Sequence, residues 1–172
     1  MNELDEVWEN MMNEAIARAK SSGRSDVADY LTLKASNDAA RAASVKWLFD
    51  ATSEIAAEIN RRRSAGISVE NEHPYRFAFG NANLVGSLVR FRQGVRCLTV
   101  EAGWTRTASD GFMRGGALAC ARISHFGMKQ QNAELILLRP DNAPHWFAVD
   151  KEGNRSLFDS RNLQNHFQIF LE

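Results

Sequence analysis

The sequence is poor in cysteine and proline. It has two cysteines, Cys97 and Cys120, and three prolines in 172 residues. Two cysteines are too few for a disulfide framework, and no CxxC or HxxxH pair sets side chains at the spacing of metal ligands. We therefore expect two reduced thiols, no metal ion, no cofactor and a cytoplasmic location.

The chain also lacks a long apolar run and a phosphate-binding signature. No segment has the length and apolarity of a membrane-spanning helix, so no membrane association is expected. The first residues, MNELDEVWENMMNEAIARAK, are acidic and lack the basic start and apolar core of a signal peptide. Neither GxGxxG nor GxxxxGK[ST] occurs, which excludes the usual nucleotide-binding loops.

The overall composition is that of a globular protein. Hydrophobic residues make up 44% of the chain and charged residues 24%, which is enough apolar material for a real core. Helical periodicity gives way to strand-like alternation without a low-complexity linker. We predict a single domain of residues 1–172, with a helical part at 1–66 and a β-rich part at 67–172.

Three helices are expected in the first part. Apolar residues recur at three- and four-residue steps between residues 4 and 19 and predict an amphipathic helix that ends near Gly23. Ser25 suits the N-cap of a short second helix that runs through Leu31. A third, long helix is predicted at about 37–63.

A β-hairpin is the clearest local signal of the second part. In LVGSLVRFRQGVRCLTVEAGW, a turn at Gln93-Gly94 would pair Phe91 with Arg96 and Val89 with Leu98. This pairing separates two faces. The apolar face carries Val85, Val89, Phe91, Leu98, Val100, Ala102 and Trp104. The polar face carries Gly86, Arg90, Arg92, Cys97, Thr99 and Glu101, with Leu88 as its main apolar member.

Further strands are predicted from ALACARISHF, ELILLR, HWFAVD and RSLF. Residues 160–172 fit either a helix behind a Ser160 cap or a final strand. The fold class is therefore α+β, with N-terminal helices packed on one face of a mainly antiparallel sheet of about six strands. The predicted core contains Trp47, Leu48, Phe91, Leu98, Val100, Trp104, Ile136 and Phe147.

Positive charge is concentrated in the middle of the chain. Residues 67–133 contain eight Lys and Arg against four Asp and Glu, whereas the segments before and after each have two more acids than bases. Arginine binds carboxylates and phosphates through two parallel hydrogen bonds. Ion pairs with the acidic helices explain the bias equally well. Seven of the eight cations are arginines: Arg76, Arg90, Arg92, Arg96, Arg106, Arg114 and Arg122.

The segment 107–116, TASDGFMRGG, carries more than a turn requires. Phe112, Met113 and Arg114 add an apolar pair and a cation between its glycines. We predict a binding surface made of this loop and the polar sheet face, although a solvated face with cross-strand ion pairs would show the same pattern. The candidate binding residues are Arg90, Arg92, Glu101, Arg106, Arg114 and Arg122.

The pattern favours a non-catalytic binding or interaction domain for an acidic protein partner or a small anionic ligand. One alternative is an enzyme acting on an anionic substrate, with Glu101 as acid/base and Arg106 or Arg122 holding the substrate. A second alternative is non-specific nucleic-acid binding by the arginine-rich middle. A homodimer is also expected, formed through the sheet face or the Met- and Trp-bearing N-terminal helix.

Overall fold

The computed structural model describes residues 3–172 and has the predicted α+β class, with seven strands instead of about six. By internal contacts, one compact unit ends at Ala42 and a second runs from Ala43 to Glu172. The elements are α1 (Glu3–Ser21), α2 (Ser25–Arg63), β1 (Ser68–Phe79), β2 (Ala82–Gln93), β3 (Arg96–Trp104), β4 (Ala119–His125), β5 (Ala133–Leu138), β6 (His145–Val149), β7 (Arg155–Leu157) and α3 (Ser160–Leu171).

Helix α2 is continuous, so the prediction of separate helices on either side of residues 32–36 is wrong. This stretch contains neither glycine nor proline. The Thr32 hydroxyl donates to the Ala28 carbonyl oxygen at 2.8 Å, and Asp38 pairs with Lys34 and Arg41 on the same helix. Polar side chains that bond within the helix are compatible with its interior, which explains why a cap-like sequence does not interrupt it.

The sheet is an antiparallel meander in which the strands pair in chain order, β1 to β7. The predicted β2–β3 register is wrong, because the turn lies at Gly94-Val95 and Phe91 pairs with Leu98. Gly94 has φ +58°, which is what a tight hairpin requires at its first turn position. The partners move by two residues along β3, and since side chains alternate with period two, the predicted faces are kept.

The second unit has its main core between the sheet and two helical segments. Residues of α2 beyond Ala43 and of α3 cover one sheet face, and the Trp146 indole on β6 donates to the Ser44 carbonyl oxygen at 3.1 Å. Of the predicted core residues, Leu48, Phe91, Leu98, Val100 and Ile136 are buried, whereas Trp104 and Phe147 are half-buried.

The prediction that Trp47 lies in the core is wrong. Its side chain is 39% exposed, while the adjacent Leu48 is fully buried. Successive residues on a helix point about 100° apart, so Leu48 occupies the inward position and Trp47 lies at the boundary of the core.

The segment 160–172 forms helix α3, which resolves the choice between helix and strand. Asp159, not Ser160, is the N-cap. Its carboxylate accepts hydrogen bonds from the backbone N–H groups of Arg161 and Asn162, and the Asn162 side chain accepts from the Asp159 N–H at 2.8 Å. This reciprocal pair satisfies N–H groups that a helix start otherwise leaves unbonded.

A second, smaller core lies on the opposite sheet face. The last pair of β2 and β3 is Val85 with Trp104, and the β1–β2 hairpin continues past this point. The core arises because this extension of the hairpin bends over the sheet. Arg122 of β4 reaches the Ala78 carbonyl oxygen of β1 at 3.3 Å, although a flat sheet would separate these strands by about 14 Å. The buried members of this core are Phe77, Phe79, Ala82, Leu84, Ala117, Cys120 and Ile136.

Two facing glycines allow the strands to approach closely next to this hairpin extension. Gly86 of β2 pairs with Gly103 of β3. A Cβ atom on Gly86 would lie 1.9 Å from the Ala102 carbonyl oxygen, and one on Gly103 would lie 2.5 Å from the Val85 oxygen. Both distances are far below van der Waals contact, so this part of the hairpin requires glycine on both strands.

Candidate functional site

Four of the six predicted binding residues lie on the sheet face opposite the helices. Arg90, Arg92, Glu101 and Arg122 alternate along β2, β3 and β4 with residues of the main core. Glu101 pairs across the sheet with Arg122, which in turn pairs with Glu134 of β5. These residues form a row of side chains that we call the polar face.

Arg122 is the most connected residue of the polar face. Its Nη1 donates to Oε1 of Glu101 at 2.7 Å, and its Nη2 lies 3.7 Å from Oε1 of Glu134. Its guanidinium also lies 5.2 Å from the centre of the Phe79 ring. The side chains of Arg122 and Glu101 are only 26% and 12% exposed, so the pair is largely removed from water.

Glu101 is an acid held between a cation and a phenol. Burial raises the pKa of Glu101. The Arg122 cation and a hydrogen bond from Tyr75 lower this pKa by less, so it stays above its usual value. The pKa of the Tyr75 hydroxyl is raised in turn, by burial and by the Glu101 carboxylate. A shielded carboxyl of this kind can exchange a proton closer to neutral pH than an exposed glutamate does.

The two remaining arginines of the polar face share one carboxylate. Arg90 Nη1 lies 3.2 Å and Arg92 Nε 3.8 Å from the carboxylate oxygens of Glu70 on β1. Glu70 is exposed. Such exposed pairs contribute little to stability.

The 107–116 loop is fixed in place by Asp110. Its Oδ2 accepts hydrogen bonds from the backbone N–H groups of Arg106 at 2.9 Å and Thr107 at 3.0 Å. These bonds hold the pKa of the Asp110 carboxyl below its usual range. Gly111, with φ +89°, then passes so close to the Asn81 carbonyl oxygen that a Cβ atom would lie 2.9 Å from it.

The loop buries one of its apolar residues and displays the other. Met113 packs against the smaller core, whereas the Phe112 side chain is 95% exposed. Because Met113 has extended backbone angles, the flanking Phe112 and Arg114 side chains point away from it. Arg114 is half-exposed and lies 3.5 Å from Glu134.

A further arginine, Arg155 of β7, lies beside the loop. A Cβ atom on Gly115 would be 2.7 Å from its Nη2. Arg155 is not among the binding residues predicted from the sequence, because it follows Gly115 by 40 residues and nothing in the sequence indicates that the two lie close together. We call Phe112, Arg114 and Arg155 the loop patch.

Arg106 takes a different place from the other predicted residues. Its guanidinium stacks at 4.0 Å over the ring of Trp104, and its Nη2 donates to the Val85 carbonyl oxygen at 3.0 Å. These contacts tie the start of the loop to the end of the β2–β3 pair.

Cys120 and the His125–His166 pair do not form a nucleophilic site together. Cys120 is buried, and burial raises the pKa of its thiol to about 12, so it stays protonated and unreactive. His125 lies on the opposite face, where its Nε2 is 2.8 Å from Nδ1 of His166 on α3. Within residues 3–172, no group of three or more His, Cys, Asp or Glu side chains is arranged to hold a metal ion, and no helix could cross a membrane.

Comparison with known proteins adds no functional information. No protein-family model matches the sequence, and searches of curated proteins and of solved structures found no match. The site must therefore be interpreted from its own chemistry.

Proposed function

We propose that this protein is a non-catalytic binding domain that recognises an acidic segment of a partner protein through the loop patch. The observation that carries the proposal is that Phe112 is 95% exposed on a loop whose first residues are hydrogen-bonded to Asp110. A large exposed aromatic on an ordered loop is a favourable anchor for a partner, because little conformational entropy is lost on binding.

The charges around Phe112 favour an acidic partner. Arg114 lies in the loop and Arg155 lies beside it, and Glu134 is the carboxylate with which Arg114 pairs. A partner carboxylate could be bound by either guanidinium through two parallel hydrogen bonds. The arginines of the polar face already contact the carboxylates of Glu70, Glu101 and Glu134. A small anion or a nucleic-acid phosphate would have to compete with these carboxylates for the guanidinium groups.

The two cysteines, which are both free thiols, suit a reducing compartment and support a cytoplasmic location as part of this proposal.

The test is selection from a displayed peptide library rich in Asp, Glu and apolar residues, with a library in which Asn and Gln replace the acids as the reference. We expect the wild-type protein to enrich acidic peptides. Phe112→Ser or Arg114→Gln should weaken their binding by about tenfold or more. Phe126→Ser is the matched control, because Phe126 is also strongly exposed but lies outside the loop patch. Equal binding by wild type and Phe112→Ser, or enrichment of neutral peptides alone, would contradict the proposal.

A second candidate function is catalysis on an anionic substrate with Glu101 as acid/base. Its support is the burial of Glu101 and its raised pKa beside Tyr75 and Arg122. Assay of wild-type protein against a panel of anionic esters and phosphates tests it. Turnover that Glu101→Gln abolishes and Phe112→Ser leaves unchanged would support catalysis, whereas equal rates for wild type and Glu101→Gln would argue against it.

A further inference from the structure

Helix α1 carries an apolar stripe that is open to solvent. Its members recur at three- and four-residue steps, and each is more than half exposed. Exposed singly, such residues need no explanation, but a contiguous stripe containing a tryptophan is typical of a surface that binds another protein. The α1 stripe consists of Leu4, Val7, Trp8 and Met11.

The second unit contains a groove between α2 and α3 whose apolar lining is complementary to the α1 stripe. Its volume is about 680 Å³, and it extends along both helices. Its floor is apolar, and Trp47 is exposed within it. The apolar lining residues are Trp47, Ala51, Ile55, Ile59, Phe167 and Leu171.

The charges of the stripe and the groove are complementary. Glu3, Glu6 and Glu9 accompany the apolar residues of α1. One end of the groove lies at the last turn of α2, where Arg62 and Arg63 line it. Glu54 and Glu58 line the groove nearer its middle. Arg61 and Arg62 both pair with the single carboxylate of Glu58, so the positive excess is confined to the last turn of α2, which carries three arginines.

The length of the chain determines which copy of α1 can fill the groove. At 1.5 Å per residue, Leu4 lies about 26 Å from Ser21, whereas Arg62 lies about 56 Å from Ser25 along α2. Only residues 22–24 join the two helices, and this difference in length favours a second copy of the chain as the source of the α1 helix in the groove. Pairing of two α1 stripes with each other would bring their glutamates together and is disfavoured by repulsion.

We propose that two copies of this chain form a dimer in which the α1 stripe of each occupies the α2–α3 groove of the other. The acidic start of α1 lies against Arg62 and Arg63, so α1 runs antiparallel to α2. The stripe then meets the apolar floor in the manner of an amphipathic helix bound in a hydrophobic groove. A two-fold axis repeats the contact, so that two grooves and two stripes are buried at once.

The first test is the mass of the full chain by sedimentation equilibrium from about 1 to 100 µM. We expect a monomer–dimer equilibrium. Trp8→Glu should raise the dissociation constant by about tenfold or more, since tryptophans dominate such contacts. Tyr30→Glu is the matched control, because Tyr30 is an exposed aromatic outside the stripe. A monomer throughout this range, or equal effects of both substitutions, would overturn the proposal.

A charge exchange tests the orientation. Arg62→Glu with Arg63→Glu should weaken the dimer, and adding Glu6→Arg with Glu9→Arg should restore it. Failure of the second pair of changes to restore affinity would overturn the antiparallel placement.

Mixed cross-linking identifies the contacting surfaces. Met11→Cys and Gln164→Cys are made in separate chains that also carry Cys97→Ser, leaving only the buried Cys120. Mixing them under mild oxidation should give a cross-link between the two kinds of chain. Cross-links only between two Met11→Cys chains would assign the dimer to α1–α1 pairing. That result, or the absence of any cross-link, would overturn the proposal.

Discussion

His125 and His166 share a hydrogen bond of 2.8 Å between Nε2 of one ring and Nδ1 of the other. The bond joins β4 to α3, and the Phe158 ring lies 6.1 Å from His166. Nδ1 of His125 is buried without a hydrogen-bond partner. A neutral pair satisfies this geometry, because one ring donates its N–H to the unprotonated nitrogen of the other.

We expect this pair to make the protein less stable in mild acid. Burial lowers both pKa values, and the neighbouring His125 adds to the effect on His166, whose pKa falls to about 4. Between pH 6.5 and about 4 these histidines bind protons in the unfolded chain that they do not bind in the folded one. The contribution of the pair to the free energy of unfolding therefore falls as the pH falls through this range and is fully present above it. The loss attributable to His166 should be on the order of 3 kcal/mol by pH 4.

Urea unfolding of wild type and His166→Gln at intervals from pH 4 to 8 measures this loss. The variant keeps every carboxylate, so the difference between the two curves isolates the histidine. A difference that does not change with pH would show that the pair does not titrate as described.

The Arg122–Glu101 pair should behave as a coupled unit. Arg122→Met leaves a shielded carboxylate without its cation and should cost about 3 kcal/mol of unfolding free energy. Glu101→Leu with Arg122→Met removes both charges and should cost less than Arg122→Met alone. Chemical denaturation of wild type, both single variants and the double variant gives the coupling energy. Additive losses would mean that the two side chains act independently.

Gly86→Ala should be among the most damaging small substitutions in the protein. The added Cβ would lie 1.9 Å from a backbone oxygen of the neighbouring strand, so the strands must separate. We expect a loss of more than about 3 kcal/mol, against about 1 kcal/mol for the control Gly94→Ala, which has open space but a positive φ. Thermal unfolding compares them, and similar losses for both would contradict close packing at Gly86.

Asp110→Ala should loosen the 107–116 loop without unfolding the sheet. The change removes the acceptor for the Arg106 and Thr107 N–H groups. Hydrogen exchange should become faster in the loop and stay unchanged in β3 and β4. The same variant should bind acidic peptides more weakly, because Phe112 is no longer held in place. Unchanged loop exchange would remove the basis for a rigid anchor.

The fold class follows from periodicity, whereas the helix breaks and the register do not. Residues 32–36 are predicted as a boundary because Ser36 and Asn37 favour caps, but such local preferences are weak and the rest of the structure can override them. The hairpin register depends on whether Gly94 is the second or the first residue of the turn. Moving the turn by one residue moves the pairing partners by two, so both choices place the same side chains on the same face. Local sequence therefore predicts the faces more reliably than the partners.

The candidate site was only partly accessible to sequence reasoning. Arg90, Arg92, Glu101 and Arg122 could be assigned to one face because side chains alternate along strands. Arg155 and the His125–His166 pair could not be found, because their contacts join residues 40 and 41 positions apart through the bend of the sheet and the docking of α3. Contacts of this kind depend on tertiary packing, which leaves no periodic trace.

The meander leaves β1 and β7 as the edges of the sheet, and both are unsuited to joining another sheet. Strand β1 carries Glu70 and Glu72, then a bulge that contains Pro74, and proline cannot donate a ladder hydrogen bond. Strand β7 spans only three residues. Charges, a proline, a bulge and short length are the devices that keep sheets from adding strands without limit. The bulge that bends β1 therefore also protects the protein against edge-to-edge aggregation.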